Sequence, residues 1–205
     1  FERTSVYLDY RLLVERTNSE LILMRFADPS PGIWRIVVEP QQLADGIFHM
    51  WLPVAEFLTG DVYFLQSNPD TTITEPGNTP DPMTVASYNG ADKSIAIDSG
   101  RGYTRGGRLK PEFAAPGVDV TGAVSRGQFT KRTGSSIATG ITAGATALLF
   151  EWIVYQLGRT NIDSIQLKNL MILGTERKDT EVYPNRSWGY GSLNLYNTFE
   201  QLRTF

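Results

Sequence analysis

The sequence predicts an α/β fold whose amino-terminal third is β-rich. Three observations predict it: short alternating runs over residues 1–75, a shift in composition from residue 76, and a helical apolar period from residue 135 onward.

The alternating runs are SVYLDY, ELILMRFA, IWRIVVEP, GIFHMWLP and DVYFLQ. β-Branched and aromatic residues fill them, and turn chemistry such as DPSPG and ADG separates them, so a small antiparallel sandwich is expected over 1–75. After NPDTTITEPGNTPDP, the segment MTVASYN reads as a buried strand and SGRGYTRGGR as a glycine-rich loop. KPEFAAPGVDV has the apolar end and Pro-Gly turn of a strand entering a loop. From residue 135, Ile137, Ile141, Gly144, Leu148, Trp152 and Tyr155 fall on one helical stripe, which Gly158 is placed to stop. Asp163 is the expected N-cap of a second helix over 163–173, and a third is expected over 193–202.

Bulk properties narrow the function. The 205 residues can bury a core; 41% are hydrophobic, 20% are charged and the formal net charge is −3, so nucleic acid is not an expected partner. With no cysteine there is neither a disulfide nor a thiol nucleophile, and nothing has metal-ligand spacing, so no cofactor is expected. No apolar run is expected to reach the roughly 20 residues of a membrane span. Beginning at Phe1 inside a strand-rich region, the chain reads as a piece of something longer.

The chemistry-bearing stretch is TGSSIATGITAGATALLFEW, residues 133–152. Ser135 and Ser136 could simply cap the helix, an effect of roughly 1 kcal/mol. The flanking Ala138, Gly140, Ala143 and Gly144 point further, because glycine costs about 1 kcal/mol in a helix and marks close backbone approach. A serine at that helix start sits in the positive field of the dipole, beside free amides able to hold an oxyanion. It is not a G-x-S-x-G elbow, since Ala138 stands at the second glycine position.

The run from Gly134 to Gly140, followed by Ala143-Gly144, resembles the subtilase nucleophile motif G-T-S-x-A-x-P, with Ser136 at the nucleophile and Gly140 where proline is usual. Upstream, Lys110 to Val118 resembles the subtilase segment K-P-D-x-x-A-P-G-V, and SGRGYTRGGR resembles the loop before it. YPNRSWGYGSLNLYNTFEQL adds similarity to the clostridial Csp-type spore-germination proteases. This resemblance implies the carboxyl-terminal part of a subtilisin-like domain, with parallel sheet and helices over 76–205. It also implies a jelly-roll-like insertion over 1–75.

Further roles follow only from the resemblance. The parent protein is expected to be a serine endopeptidase acting on protein or peptide substrates, secreted or spore-associated. Ser136 is the nucleophile, and its amide serves the oxyanion hole. Pro80 falls at the edge of the primary specificity pocket with Asn78 and Thr79 beside it. Thr79-Pro80 is a candidate cis bond, although an ordinary loop proline is nearly as good a reading. The family's aspartate and histidine are expected in the amino-terminal part of the same catalytic domain, so the 205 residues alone should be inert.

His49, the single histidine, reads as structural within a strand-like segment rather than as a base. Asn89 reads as a turn residue, and Asp92, Asp98 and Asp119 as loop or strand-end residues. Arg101, Arg105 and Arg108 read as a solvated loop pairing with carboxylates. A non-catalytic pseudoprotease or binding module of the same fold is the alternative function. An uncovered sheet edge would lead the chain to form a homo-oligomer.

Overall fold

The computed structural model describes residues 3–14, 19–39, 46–54 and 57–203. The chain divides into two compact units, Phe1–Asp61 and Val62–Phe205.

In the first unit, β1 (Ser5–Val14) pairs antiparallel with β2 (Ser19–Ala27), from Ser5 opposite Ala27 to Arg11 opposite Leu21. Beyond the hairpin, the Trp34 indole N–H donates to Ser30 O at 3.1 Å and the ring meets Phe26 edge to face. Only these two of the five expected strands form among the described residues. The described parts of 33–39, 46–53 and 61–66 run as irregular backbone; Pro40, the end of the third run, lies outside the described residues. Strand-prone composition is expressed only where a partner strand completes the ladder, and here Ile33 and Ile47 are 83% and 72% exposed.

The second unit is built on β3 (Val85–Asn89) and β4 (Phe113–Val118), which run parallel with Val85 opposite Phe113 and Tyr88 opposite Pro116. Alternation along the strands sends side chains to two faces, and both are covered. Ala86, Tyr88 and Ala114 pack with Trp188 on one face; Phe113 packs with Leu149, Ile153 and Met171 on the other. The far edge of β4 is closed by the carboxyl-terminal segment, through Ala114 N–H to Gly191 O and Leu193 N–H to Ala114 O.

A hairpin of β5 (Val120–Val124) and β6 (Gln128–Arg132) leads from β4 into α1 (Ser135–Gln156). No strands are expected here from the sequence. The turn Ser125–Gly127, with Arg126 and Gly127 both at positive φ, is the signal that joins the two alternating runs.

α1 lies against β3 and β4, but its buried stripe is Ala138, Thr142, Leu149 and Ile153 rather than the expected one. Leu148 and Tyr155, expected inward, are largely exposed. Small residues decide the contact: Ala138 lets the helix approach Gly117 of β4. α1 also corrects the expectation about apolar length, because its 22 residues reach a mean hydropathy of 1.6 over an 18-residue window. Its serines, threonines and glycines mask this, yet no charge falls between Ser135 and Phe150. The same composition serves a helix packed on a sheet.

α1 ends as foreseen, with Gly158 at φ 64 just beyond it. α2 (Ser164–Leu173) starts with a full capping box: the Gln166 amide donates to Asp163 Oδ1 at 2.8 Å and the Asp163 amide to Gln166 Oε1 at 3.1 Å. α3 (Leu195–Arg203) packs Phe199 edge to face on Trp152 of α1.

Candidate active site

The loop between β6 and α1 is fixed from both sides. Asp119, at φ 52 between β4 and β5, donates its amide to Thr133 Oγ1 at 2.9 Å. The Gly134 amide donates to Gly117 O at 2.8 Å, tying the start of α1 to the carboxyl end of β4. Gly134 has φ 149 and ψ 159, a backbone that favours glycine. Gly117 has no room for a side chain, since an added Cβ would collide with Ser87 Oγ and lie 2.9 Å from Gly134 O.

Ser135 and Ser136 are the first two residues of α1, and both are exposed. The N-cap is Gly134, which has no side chain to offer, so neither serine performs the capping role open to it from sequence. The turn closes through the Ile137 and Ala138 amides, which donate to Gly134 O at 3.0 and 3.4 Å. Among the described residues, nothing hydrogen-bonds the Ser136 hydroxyl, and the amides of Ser135 and Ser136 meet no carbonyl. The Ser136 oxygen therefore lies at the positive end of a 22-residue helix beside unsatisfied donors, an arrangement able to stabilise a developing oxyanion.

His49 belongs to the first unit, is exposed and stacks on Trp51 with ring centroids 5.4 Å apart. Its segment is irregular rather than strand. Asn89 closes a turn as read, its Oδ1 accepting from the Ala91 amide at 3.0 Å. Asp92 and Asp98 are exposed; the Ser94 hydroxyl and then the Ser94 amide, both donating to Asp92, hold its carboxyl below the ordinary value. Of the loop arginines, Arg101 meets the carboxylate of Asp70 at 3.5 Å, and Arg186 meets its other oxygen at 3.0 Å.

Asn78 and Thr79 are half-buried and Pro80 is exposed. The amide and hydroxyl of Thr79 both donate to Pro76 O, at 3.1 and 2.7 Å. The Thr79–Pro80 bond is trans, contrary to the candidate cis assignment; Glu75–Pro76 is cis instead. The turn closed on Pro76 has already redirected the chain before Pro80 is reached. These residues lead into the amino-terminal end of β3, whereas Gly117 and the Ser136 turn sit near Ser87 farther along it. Three residues of strand, roughly 10 Å, separate Thr84 from Ser87. No hydrogen bond joins Ser136 to Asn78, Thr79 or Pro80 among the described residues.

The sequence model of the subtilase family matches residues 59–191, the stretch that contains this sheet, the hairpin and α1. The chain belongs to the subtilase family. The chain is 33% identical over 98 residues to the C5a peptidase of Streptococcus pyogenes, covering 48% of this chain and 8% of that protein. It is 29% identical over 154 residues to the serine protease AprX of Bacillus subtilis, covering 64% of this chain and 33% of the relative. Its fold matches the CspB protease of Clostridium perfringens with a TM-score of 0.65 and 32% identity, over 69% of this chain and 31% of that one. The chain thus spans about a third or less of the length of these relatives.

One polar group of this subtilase chain escaped sequence reasoning. Lys110 and Glu112, at the entrance to β4, are nearly inaccessible and pair at 2.6 Å. Lys168 of α2 approaches the same carboxylate at 3.4 Å. Charged residues are ordinarily assigned to the surface, and the match of Lys110 to Val118 to a family segment is the signal that this stretch is more than a solvated loop.

Proposed function

We propose that the parent protein is a serine endopeptidase in which Ser136 is the nucleophile. The Gly134–Ser136 turn supports this reading best: it leaves an exposed, unbonded hydroxyl at the start of α1 beside two free amides. In the reaction, Ser136 Oγ adds to the scissile carbonyl carbon while its proton passes to a histidine base. The Ser136 amide donates to the carbonyl oxygen as it gains charge. Collapse expels the amine, which takes up the proton, and water then hydrolyses the ester and restores the hydroxyl.

The base and its aspartate belong, on this reading, to the amino-terminal part of the catalytic domain, a partner of this chain's own fold. A serine without a base is a weak nucleophile, so the 205 residues alone are expected to be inert. Asn78, Thr79 and Pro80 are assigned to the substrate pocket, as a wall set back from the hydroxyl. Residues 1–75 are assigned to the inserted β-rich domain and 76–205 to the catalytic fold.

The test is to express the full parent with and without Ser136→Ala and expose both to a fluorophosphonate probe. Labelling of the parent that disappears in the variant supports the assignment. Labelling that survives the substitution overturns it, and a parent that neither labels nor cleaves peptides favours the pseudoprotease alternative.

A further inference from the structure

The buried charges at the entrance to β4 have no part in the serine chemistry, yet their contacts converge on one short segment. Lys168 Nζ donates to Pro80 O at 2.9 Å, and Lys110 Nζ to Pro82 O at 2.6 Å. The Thr84 amide donates to Glu112 Oε2 at 2.7 Å, and the Glu112 amide returns a bond to Thr84 O at 2.9 Å. Every second residue from 80 to 84 is therefore held by the same three side chains.

The segment cannot hold itself. Pro80 and Pro82 carry no amide hydrogen, so neither can donate to a sheet ladder, and their carbonyls are the only backbone handles they offer. The holding group is buried: the side chains of Lys110, Glu112 and Lys168 are 2%, 7% and 13% exposed. Burying charges is costly, and apolar residues in such places are often as stable or more so, which makes stability a poor reason for the cluster. Two ammonium groups, one carboxylate and two carbonyl dipoles instead define a single geometry for the chain between Thr79 and Thr84.

We propose that Lys110, Glu112 and Lys168 are positioning residues that set the substrate preference of the protease. They do so by fixing residues 80–84, and through them the Asn78–Pro80 wall, at the position a bound peptide side chain meets. This rests on the reading of the parent as a Ser136 peptidase with Asn78–Pro80 in its pocket. Lys168 is the informative member, because it alone reaches from α2 and is the most accessible of the three.

The experiment measures kcat and KM of the full parent on a set of peptide anilides differing only in the residue before the cleaved bond. Lys168→Met is expected to raise KM about tenfold for the preferred residue and to flatten the preference. Its kcat on the poorest substrate and its fluorophosphonate labelling rate should stay within about twofold. Lys168→Arg, which restores a charged donor to Pro80 O, should recover most of the lost preference. Glu112→Gln, with thermal unfolding recorded alongside, is the second variant and should shift the same preference in protein that remains folded. Unchanged KM values and unchanged preference in folded Lys168→Met, with labelling intact, overturn the inference and leave the peptidase reading standing. A parent without Ser136-dependent hydrolysis overturns both.

Discussion

The Gly134 amide donates to the Gly117 carbonyl oxygen at 2.8 Å, joining the residue before the candidate nucleophile pair to the end of the central strand β4. Both partners must be glycine for separate reasons, one of conformation and one of space.

Gly117→Ala should therefore be among the most damaging single-methyl changes in the fold. The new Cβ would meet Ser87 Oγ, Gly134 O and Ala138 Cβ together, and two of these belong to packed backbone or a buried helix face. Overpacking of this kind costs about 1–3 kcal/mol. Urea unfolding of the variant should show a lower midpoint at unchanged slope, and the parent should lose fluorophosphonate labelling. A midpoint equal to that of the unsubstituted protein would show that α1 can move away freely.

Leu149 is fully buried against the Phe113 face of the sheet. Leu149→Ala should destabilise the second unit by about 2–5 kcal/mol, the range for a leucine whose cavity cannot collapse. Leu148→Ala, one residue earlier and more than half exposed, should cost much less. Reversal of that order would place the stripe where the sequence period first put it.

The capping box gives a local test. Asp163→Ala removes the acceptor for the Gln166 amide and should cost about 1 kcal/mol. Asp163→Asn should retain most of it. Chemical denaturation of the two variants side by side distinguishes the cap from a general surface effect.

Asp92 has a pH signature with a defined sign. Donation from Ser94 lowers its carboxyl below the ordinary value of 3.8, so the carboxylate form is favoured in the folded state. Its contribution to stability is present above that value and is lost as pH falls through the lowered folded one. Carboxyl NMR should give a midpoint below 3.8 that rises in Ser94→Ala. A midpoint at or above 3.8 in the unsubstituted protein would contradict the hydrogen-bonded geometry.

The isolated chain is expected to self-associate. Large apolar side chains stand in water on α1 and on β1–β2, including Phe150, Tyr155, Tyr7 and Leu23. Light scattering at increasing concentration should show a rising mass; a monomer throughout would count against it.

What was legible in the sequence was local. The α2 cap, the stop at Gly158 and the strand in MTVASYN each follow from a few neighbouring residues, and all three stand. The Gly134–Ser136 turn is legible as a motif, but its geometry depends on Gly117, seventeen positions upstream of Gly134. The buried stripe of α1 departs from its large-apolar period because Ala138 and Thr142 are small enough to permit contact. The Lys110–Glu112 pair was missed for a related reason: a charge reads as surface until its partners are known, and Pro82 O and Lys168 come from other elements. Over residues 1–75, composition promises strands whose partners do not appear among the described residues.

The closure of β4 by residues 189–193 has a consequence for assembly order. This edge segment leaves the ribosome only after the hairpin, α1 and α2 have been made, so β4 spends much of synthesis with one side unbonded. Beside this edge segment, Trp188 packs beneath Lys178 and against Tyr88. A nascent chain halted before Trp188 would hold a paired β3 and β4 with an open flank, a species suited to capture by chaperones or by another strand.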